Sequence, residues 1–286
     1  MTVITDPSRT AAMLEEMGLG PLWLRRDAAE APAEQMAATL VNSAAEVEPA
    51  PAESSVPPLD AAPPSLPLVP QPVPASLLEN GDDEAVRAIS QMNWDQLEQA
   101  VSTCTRCNLC KGRTRTVFGV GDRKARWLFI GEGPGREEDL RGEPFVGRAG
   151  QLLDNMLAAL QLARGRNAYI ANVVKCRATD ENGKDRRPTA QEAATCLPYL
   201  QRQIELIQPD VMVALGKTAA VSLLGLDPET PVSGLRGKVH RYDERPLVVT
   251  YHPAYLLRTP LDKRKTWADL CLANAEYQSA GTKAET

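Results

Sequence analysis

Four of the six cysteines in this chain have a spacing that is typical of a metal site. Cys104 and Cys107 form a Cys-x2-Cys pair, Cys176 follows after 68 residues, and Cys196 after another 19. Four thiolates could bind one zinc ion or one [4Fe-4S] cluster, and the spacing does not distinguish the two. Free buried thiols are the alternative to a metal site.

A glycine-rich segment could bring the backbone close to a ligand. Residues 131–150 contain six glycines, and they lie between a strand-like and a helix-like segment. Glycine permits such a close approach, although an ordinary glycine-rich turn is the alternative. The segment is not a phosphate loop, because no Gly-Lys-Ser/Thr follows, and its helix begins too late for a dinucleotide-binding fingerprint.

Two polar side chains could act in a site. Asn172 lies in an apolar, strand-like segment, where an amide is costly unless the backbone or a ligand satisfies it. His252 is one of only two histidines and is followed by Pro-Ala-Tyr-Leu-Leu-Arg. Taken alone, such an asparagine is more often structural, and a single histidine is a weak signal.

The elements that must position these residues alternate between strand-like and helix-like segments, which predicts an α/β sandwich with a largely parallel sheet. The apolar runs Trp127–Ile130 and Val211–Leu215 lack strict alternation, as expected for strands covered by helices on both faces. Ligands bind such sheets at the carboxyl ends of the strands, so chemistry is expected after Ile130, Val174 and Thr250.

The amino-terminal part of the chain differs in composition from the rest. Up to residue 90 it holds 13 of the 23 prolines and a formal charge of −10, whereas the remainder carries about +5. We predict a short amphipathic helix in 1–30, an Ala/Pro-rich disordered linker in 31–81, a folded domain in 82–280 and a tail in 281–286. The positive charge of the folded part keeps a nucleic-acid partner open.

Targeting signals are not apparent in the sequence. No apolar run approaches the roughly 20 residues that span a bilayer, and the amino terminus has no basic segment followed by an apolar one. We therefore expect a cytoplasmic protein that does not contact membranes. Clustered cysteines in such a protein favour metal binding or catalysis over a disulfide scaffold.

Eight motifs occur together in a characteristic order. They are Cys104-Thr-Arg-Cys107, Arg113-Thr, Val117-Phe-Gly, Gly131-Glu-Gly-Pro-Gly, Pro144-Phe-Val-Gly-Arg-Ala-Gly, Asn172-Val-Val-Lys-Cys, Leu235-Arg-Gly and His252-Pro-Ala-Tyr-Leu-Leu-Arg. With these motifs the chain resembles the family 4 (iron-sulfur) uracil-DNA glycosylases from about Cys104 to Ala280. The resemblance implies a three-layer α/β/α sandwich with a central, mostly parallel four-stranded sheet. It also implies an enzyme that flips deoxyuridine out of DNA and hydrolyses its N-glycosidic bond.

The resemblance further implies a cofactor. Cys104, Cys107, Cys176 and Cys196 would bind a [4Fe-4S] cluster with a structural role, since hydrolysis needs no electron transfer. Cys110 and Cys271 fall outside the family pattern, although Cys110 lies close enough to be an alternative ligand.

Residue roles in the base-binding site follow from the same resemblance. Phe145 would stack on uracil, Asn172 would read its edge, and Gly133 would belong to the substrate-binding loop. His252 would donate a hydrogen bond to uracil O2 as negative charge develops there. Glu132 or Glu138 would orient the attacking water, and Glu132 is preferred because it directly follows the strand.

Contacts with partners are expected at three places. The segment Leu256-Leu257-Arg258 would enter the duplex, with an apolar side chain such as Leu257 in place of the flipped base and Arg258 on phosphate. Packing of this segment against the core is the alternative. Residues 178–188 form a longer, more charged loop than is usual in the family, in which Arg186 and Arg187 could touch DNA or be solvated. The amino-terminal helix could dock a repair or replication protein, or pack intramolecularly. We expect a monomer.

Two other functions are compatible with parts of the sequence. One is a non-catalytic iron-sulfur module that binds DNA or accompanies a polymerase, and the other is an iron-sulfur electron carrier. The intact set of Phe145, Asn172 and His252 argues against both, because neither function needs a pocket for uracil.

Overall fold

A computed structural model describes residues 80–284, and it describes side chains from 83 to 280. The predicted amino-terminal helix lies outside the described residues, as does all of the predicted linker except its last two residues. The division into domains therefore stays a prediction.

Nine helices and six strands make up the described part of the chain. The helices are α1 (Asn80–Ser90), α2 (Trp94–Ser102), α3 (Arg136–Arg141), α4 (Arg148–Ala159), α5 (Ala190–Ile207), α6 (Lys217–Leu224), α7 (Val232–Leu235), α8 (Pro253–Arg258) and α9 (Lys263–Ala284). The strands are β1 (Val120–Gly121), β2 (Trp127–Gly131), β3 (Ala168–Asn172), β4 (Val211–Leu215), β5 (Val239–Tyr242) and β6 (Arg245–Thr250). Short 3-10 turns occupy Asn108–Lys111 and Pro260–Asp262.

The six strands form one mixed sheet in the order β1-β3-β2-β4-β6-β5. Its four central strands are parallel, whereas β1 and β5 pair antiparallel at the two edges. The predicted α/β class is confirmed, but the sheet has six strands rather than four. The sequence does not predict the two edge strands. β1 has only two residues, and the turn between β5 and β6 lacks the Asn-Gly pair that is typical of a hairpin.

Helices cover both faces of the sheet, which gives the predicted three layers. Every residue of β2, β3 and β4 is buried. Leu128 and Ile130 of β2 pack in a cluster with α1, α2, α5 and α6, while Trp127 and Phe129 face a second cluster with α4 and α9. Burying each large apolar side chain contributes about 1.5–3 kcal/mol, so both faces of the sheet stabilise the domain.

The register of the parallel strands brings their carboxyl ends to one edge of the sheet. Gly131 of β2 pairs with Asn172 of β3, and Leu215 of β4 pairs with Thr250 of β6. The glycine-rich segment, Asn172 and the segment of His252 therefore emerge side by side. None of the helices in the described range is both long and apolar enough to cross a bilayer.

Candidate active site

An open cleft lies at the carboxyl edge of the sheet, where the sequence predicts the chemistry. Seven of the eight residues predicted for substrate, catalysis or DNA line it, and only Leu257 does not. The seven are Glu132, Gly133, Glu138, Phe145, Asn172, His252 and Arg258. The fold thus gathers residues that are spread over 127 positions of the chain.

Gly131, the last residue of β2, lets two of these side chains approach each other. A β-carbon built at Gly131 would lie 2.4 Å from Oδ1 of Asn172 and 2.5 Å from Cζ of Phe145. No side chain fits in that space, so the ring and the amide close over bare backbone. This is the close approach that the glycine-rich segment predicted.

Phe145 is held in an uncommon conformation by its neighbours. Its φ of 56° lies in the left-handed region, which is costly for an aromatic residue unless surrounding contacts fix it. Arg164 supplies such contacts, since Nη1 donates to the Pro144 carbonyl at 2.7 Å and Nη2 donates to the Phe145 carbonyl. The Phe145 ring lies 5.6 Å from the His252 ring, at an interplanar angle of 28°.

Asn172 carries an unsatisfied acceptor in the cleft. The residue is 2% exposed, and its Oδ1 has no hydrogen-bond partner within the described range. Its backbone carbonyl accepts a bond of 2.8 Å from Nζ of Lys175. Leaving a buried amide oxygen without a hydrogen bond costs about 1–3 kcal/mol. A ligand that donates an N–H group to Oδ1 would therefore remove this unfavourable free energy.

His252 is a neutral imidazole near pH 7. Burial lowers the pKa of this histidine to about 4, and the positive charge of Arg258 adds to the effect. Nδ1 accepts a bond of 3.2 Å from the backbone N–H of Ala254 and so caps α8. The acceptor role of Nδ1 assigns the ring proton to Nε2, which leaves an N–H donor for a ligand.

The two predicted carboxylates have different surroundings. Both oxygens of Glu138 accept backbone N–H groups, one from Gly135 at 3.1 Å and the other from Val146 and Gly147 at 2.9 and 3.1 Å. Glu132 instead accepts a side-chain bond of 2.5 Å at Oε2 from the Thr218 hydroxyl. Glu138 therefore ties the glycine-rich segment together, while Glu132 lies at the cleft with one oxygen bonded to α6.

Only part of the segment that was expected to enter DNA is exposed at the end of α8. Leu256 is 1% exposed and packs in the core, whereas Leu257 is 38% exposed and Arg258 lies on the surface. Helical geometry explains the difference, because adjacent residues of α8 point to different sides. Only Leu257 and Arg258 are available to a partner in this segment.

Five cysteines line a second, small cavity on the α5 side of the sheet. They are Cys104, Cys107, Cys110, Cys176 and Cys196, and Cys271 on α9 lies elsewhere. Among the residues that the structure describes, no group of three His, Cys, Asp or Glu side chains is arranged to hold a single metal ion. The cavity does unite the four predicted ligands with Cys110.

Polar donors surround the sulfur atoms of this cavity. Nη1 of Arg113 donates to Sγ of Cys176 at 3.2 Å, and the backbone N–H of Lys175 donates to Sγ of Cys196 at 3.3 Å. Burial raises the pKa of the Cys176 thiol and raises that of Cys196 to about 12. Thiols of this kind become thiolates when a metal binds them, and the N–H donors then stabilise the negative charge.

Three residues that position the site were missed by sequence reasoning. Arg164 acts on backbone carbonyls, which leave no trace in sequence, and Thr218 meets Glu132 across 86 positions. Lys175 lies within the Asn172-Val-Val-Lys-Cys motif, but the sequence does not show that it binds the Asn172 carbonyl. A lysine between an apolar pair and a cysteine was the one available signal for a buried cation.

The described domain is an α/β/α protein with a cleft at the carboxyl edge of its sheet. An aromatic face, an amide oxygen without a partner in the described range and a neutral imidazole meet in this cleft, which therefore suits a flat polar ring. Residues 118–273 match the family model described as the uracil DNA glycosylase superfamily. The chain therefore belongs to the uracil-DNA glycosylase superfamily, which confirms the resemblance seen in the motifs.

Individual relatives agree with this assignment. A type-4 uracil-DNA glycosylase of Archaeoglobus fulgidus is 45% identical over 172 residues, which cover 58% of this chain and 84% of that enzyme. One of Thermotoga maritima is 43% identical over 163 residues, or 57% of this chain and 82% of the relative. A DNA polymerase of Bacillus phage SP01 is 31% identical over 146 residues, 51% of this chain but only 15% of that polymerase.

Proposed function

We propose that this protein is a uracil-DNA glycosylase that binds an extruded deoxyuridine and hydrolyses its N-glycosidic bond. The products are free uracil and an abasic site, as in the first step of base excision repair. The observation that carries the proposal is the cleft in which the unpaired amide oxygen of Asn172 meets the Phe145 ring and the neutral His252. Extruding the base costs a few kcal/mol, which these contacts must offset.

Base selection rests on Asn172 in this proposal. Its amide accepts from uracil N3–H and donates to O4, whereas cytosine has an amino group at the second position and no proton on N3. A buried amide that is left unpaired by the wrong base makes discrimination strong. Phe145 adds stacking of about 1–3 kcal/mol, which does not depend on the identity of the base.

Bond cleavage rests on His252 and Glu132. Negative charge develops on the departing uracil, so the Nε2–H donor of His252 stabilises the transition state more than the ground state. Glu132 orients the attacking water and stabilises the positive charge on the sugar. Glu138 acts indirectly, since its oxygens are committed to the loop that bears Phe145.

We further propose that Cys104, Cys107, Cys176 and Cys196 would hold a [4Fe-4S] cluster in the cysteine cavity. The donor set supports this assignment, because thiolates are the usual cluster ligands and N–H groups point at two of the sulfurs. Bound there, the cluster would supply structural cross-linking between Cys104, Cys107, Cys176 and Cys196 rather than a step of hydrolysis. DNA that contains uracil is the proposed partner, and the cytoplasm is the proposed site of action.

Similarity to part of a phage DNA polymerase favours one second candidate, a non-catalytic module that accompanies a polymerase. Such a module would need no neutral imidazole beside an aromatic ring. The cleft therefore favours the enzyme.

An oligonucleotide with one deoxyuridine tests the proposal. We expect the purified protein to produce an alkali-labile site at the uracil. Phe145→Ala, Asn172→Ala and His252→Ala should each lower the single-turnover rate by roughly tenfold or more. The first two remove contacts to the base worth about 1–3 kcal/mol each, and removal of a transition-state donor such as that of His252 typically costs about 10²–10³ in rate. Matched controls are His240→Ala and Asn182→Ala, which remove the same side-chain types outside the cleft.

The outcomes separate the two candidates. Cleavage that is lost in the three cleft variants and kept in both controls supports the glycosylase. A wild-type protein that binds DNA, contains iron and leaves uracil uncleaved would support the polymerase-associated module.

A further inference from the structure

The loop between Cys176 and Cys196 is a small hairpin at the cleft. Thr179 and Asp185 form an isolated antiparallel bridge. Within it, Oδ1 of Asp180 accepts the backbone N–H groups of Asn182 and Lys184, both at 2.9 Å. Asp185 and the two residues after it line the cleft together with Phe145. This charged insertion is thus part of the wall around the base-binding site.

Most charges that this hairpin contributes to the cleft are already paired. Asp185 binds Nε of Arg177 at 2.6 Å. Arg186 makes a two-pronged bond to Glu192, at 2.8 and 2.7 Å, and thereby anchors the loop to the first turn of α5. Arg187 is exposed and makes no ion pair within the described range. It is the hairpin's one uncommitted cation among the residues of the cleft.

A second uncommitted cation reaches the same cleft from another element. Arg258 lies in the last turn of α8, is exposed, and likewise has no carboxylate partner in the part of the chain that the structure describes. Both positive charges contribute to lowering the pKa of His252, after the larger effect of burial. The two guanidinium groups therefore act on the same space in front of His252.

The cleft also contains carboxylates, so a polyanion such as DNA can bind there only if cations offset their negative charge. Glu132, Glu138 and Asp185 line the same cleft and would repel a phosphate backbone. Glu138 is compensated by backbone N–H groups and Asp185 by Arg177. Arg187 and Arg258, which have no carboxylate partner in the described range, are therefore the cations available to attract phosphate. Arginine suits this role because its guanidinium group can form two parallel hydrogen bonds to a phosphate.

We propose that Arg187, with Arg258, binds the DNA phosphates beside the extruded nucleotide, so that the hairpin is a phosphate-binding arm of the cleft. This inference rests on the proposed function. Arg186 is the positioning residue that holds the arm in place, through Glu192, and does not itself touch DNA.

Salt dependence of binding tests the proposal. The probe is a single-stranded oligonucleotide with one fluorinated deoxyuridine whose glycosidic bond resists hydrolysis, and fluorescence anisotropy gives Kd over a series of NaCl concentrations. Each phosphate contact contributes a slope of about −0.7 in log K against log [salt] for single strands. Arg187→Gln should reduce the slope by about that amount and the double variant with Arg258→Gln by about twice as much.

The controls fix the interpretation. Arg87→Gln removes an exposed arginine on α1, outside the cleft, and should leave the slope unchanged. Arg187→Lys keeps the charge and should restore the slope. In the cleavage reaction, Arg187→Gln should raise KM and leave kcat at saturating DNA unaltered.

Either of two results overturns the proposal: a slope for Arg187→Gln that equals that of the wild type, or a reduced slope that Arg187→Lys does not restore. Failure of the proposed function looks different, because the wild type would then leave deoxyuridine intact while the slopes still report the phosphate contacts.

Discussion

His252 links the cleft's chemistry to protein stability. Its pKa is about 4 in the folded protein, mainly because of burial, against 6.5 for an ordinary histidine. Between these values the unfolded chain binds a proton that the folded chain does not, so the free energy of unfolding falls as the pH falls. The contribution is complete above about pH 6.5 and is lost progressively down to about pH 4, with an upper limit of roughly 3 kcal/mol.

This shift gives a prediction for a variant. His252→Asn removes the titrating group, so its unfolding free energy should depend less on pH than that of the wild type between neutral pH and about pH 5. Urea denaturation at both pH values measures the difference, with His240→Asn as the control. Parallel pH dependence in wild type and His252→Asn would contradict a depressed pKa.

Sequence alone predicts the residues that would touch uracil, but not the groups that hold them. Phe145, Asn172 and His252 lie in short motifs, and their types suit stacking, edge reading and donation. Their supports act through backbone carbonyls and over long separations, as Arg164 does for Phe145. Such contacts depend on the packed fold rather than on local pattern, so only the structure reveals them.

At the level of elements, Arg164 connects the turn after α4 to the loop that bears Phe145. Besides the Pro144 and Phe145 carbonyls, it binds Glu143 at 3.1 Å and Asp154 of α4 at 2.7 Å. Hydrogen bonds to a charged group are each worth about 1.5–3 kcal/mol. The left-handed conformation of Phe145 therefore depends on a residue outside the cleft.

A double-mutant cycle tests Arg164 as a positioning residue. Arg164→Met should lower kcat/KM by roughly tenfold or more in the wild-type background, because the Phe145 loop loses its bonds. The same change should cost little once Phe145→Ala has removed the ring. Arg166→Met is the matched control, since Arg166 is exposed nearby and its side chain makes no hydrogen bond or ion pair with the loop in the described part of the chain. Additive effects of Arg164→Met and Phe145→Ala would mean general destabilisation instead.

The element pattern was predictable where strands are buried and parallel. Trp127–Ile130 and Val211–Leu215 read as continuous apolar runs, and they form the sheet's centre as expected. The edge pair β5–β6 closes through Asp243 and Glu244, which both have positive φ without being Asn or Gly. Because this turn lacks the glycine-containing pairs that indicate a hairpin, the sequence did not predict β5.

For the whole molecule, the cysteine cavity and the cleft share one short stretch of chain. Asn172 faces the cleft and Cys176 the cavity, and Lys175 between them is fully buried. Nζ of Lys175 binds the Asn172 carbonyl at 2.8 Å and Oε1 of Gln203 on α5 at 2.6 Å. Lys175 thus links the backbone of Asn172 to α5, the helix that carries Cys196. The monomeric state and a partner for the amino-terminal helix stay predictions.

Loss of the proposed cluster should therefore destabilise the domain and weaken uracil binding together. Cys196→Ser removes a proposed ligand at a buried position of the hydrophobic core. We expect it to lose iron and lower the thermal midpoint by roughly 10 °C or more, since each kcal/mol is worth about 2–4 °C in a domain of this size. Iron content, visible absorbance and thermal circular dichroism measure these effects without reference to activity.

Two other cysteines make this prediction specific. Cys271 lies outside the cavity and Cys110 lies within it but outside the proposed ligand set, so Cys271→Ser and Cys110→Ser should both retain iron and the wild-type midpoint. Iron lost from Cys110→Ser and kept in Cys196→Ser would reassign the fourth ligand to Cys110. Iron kept in all three variants would contradict the assignment of Cys196 as a cluster ligand, because the loss of a ligand should release iron.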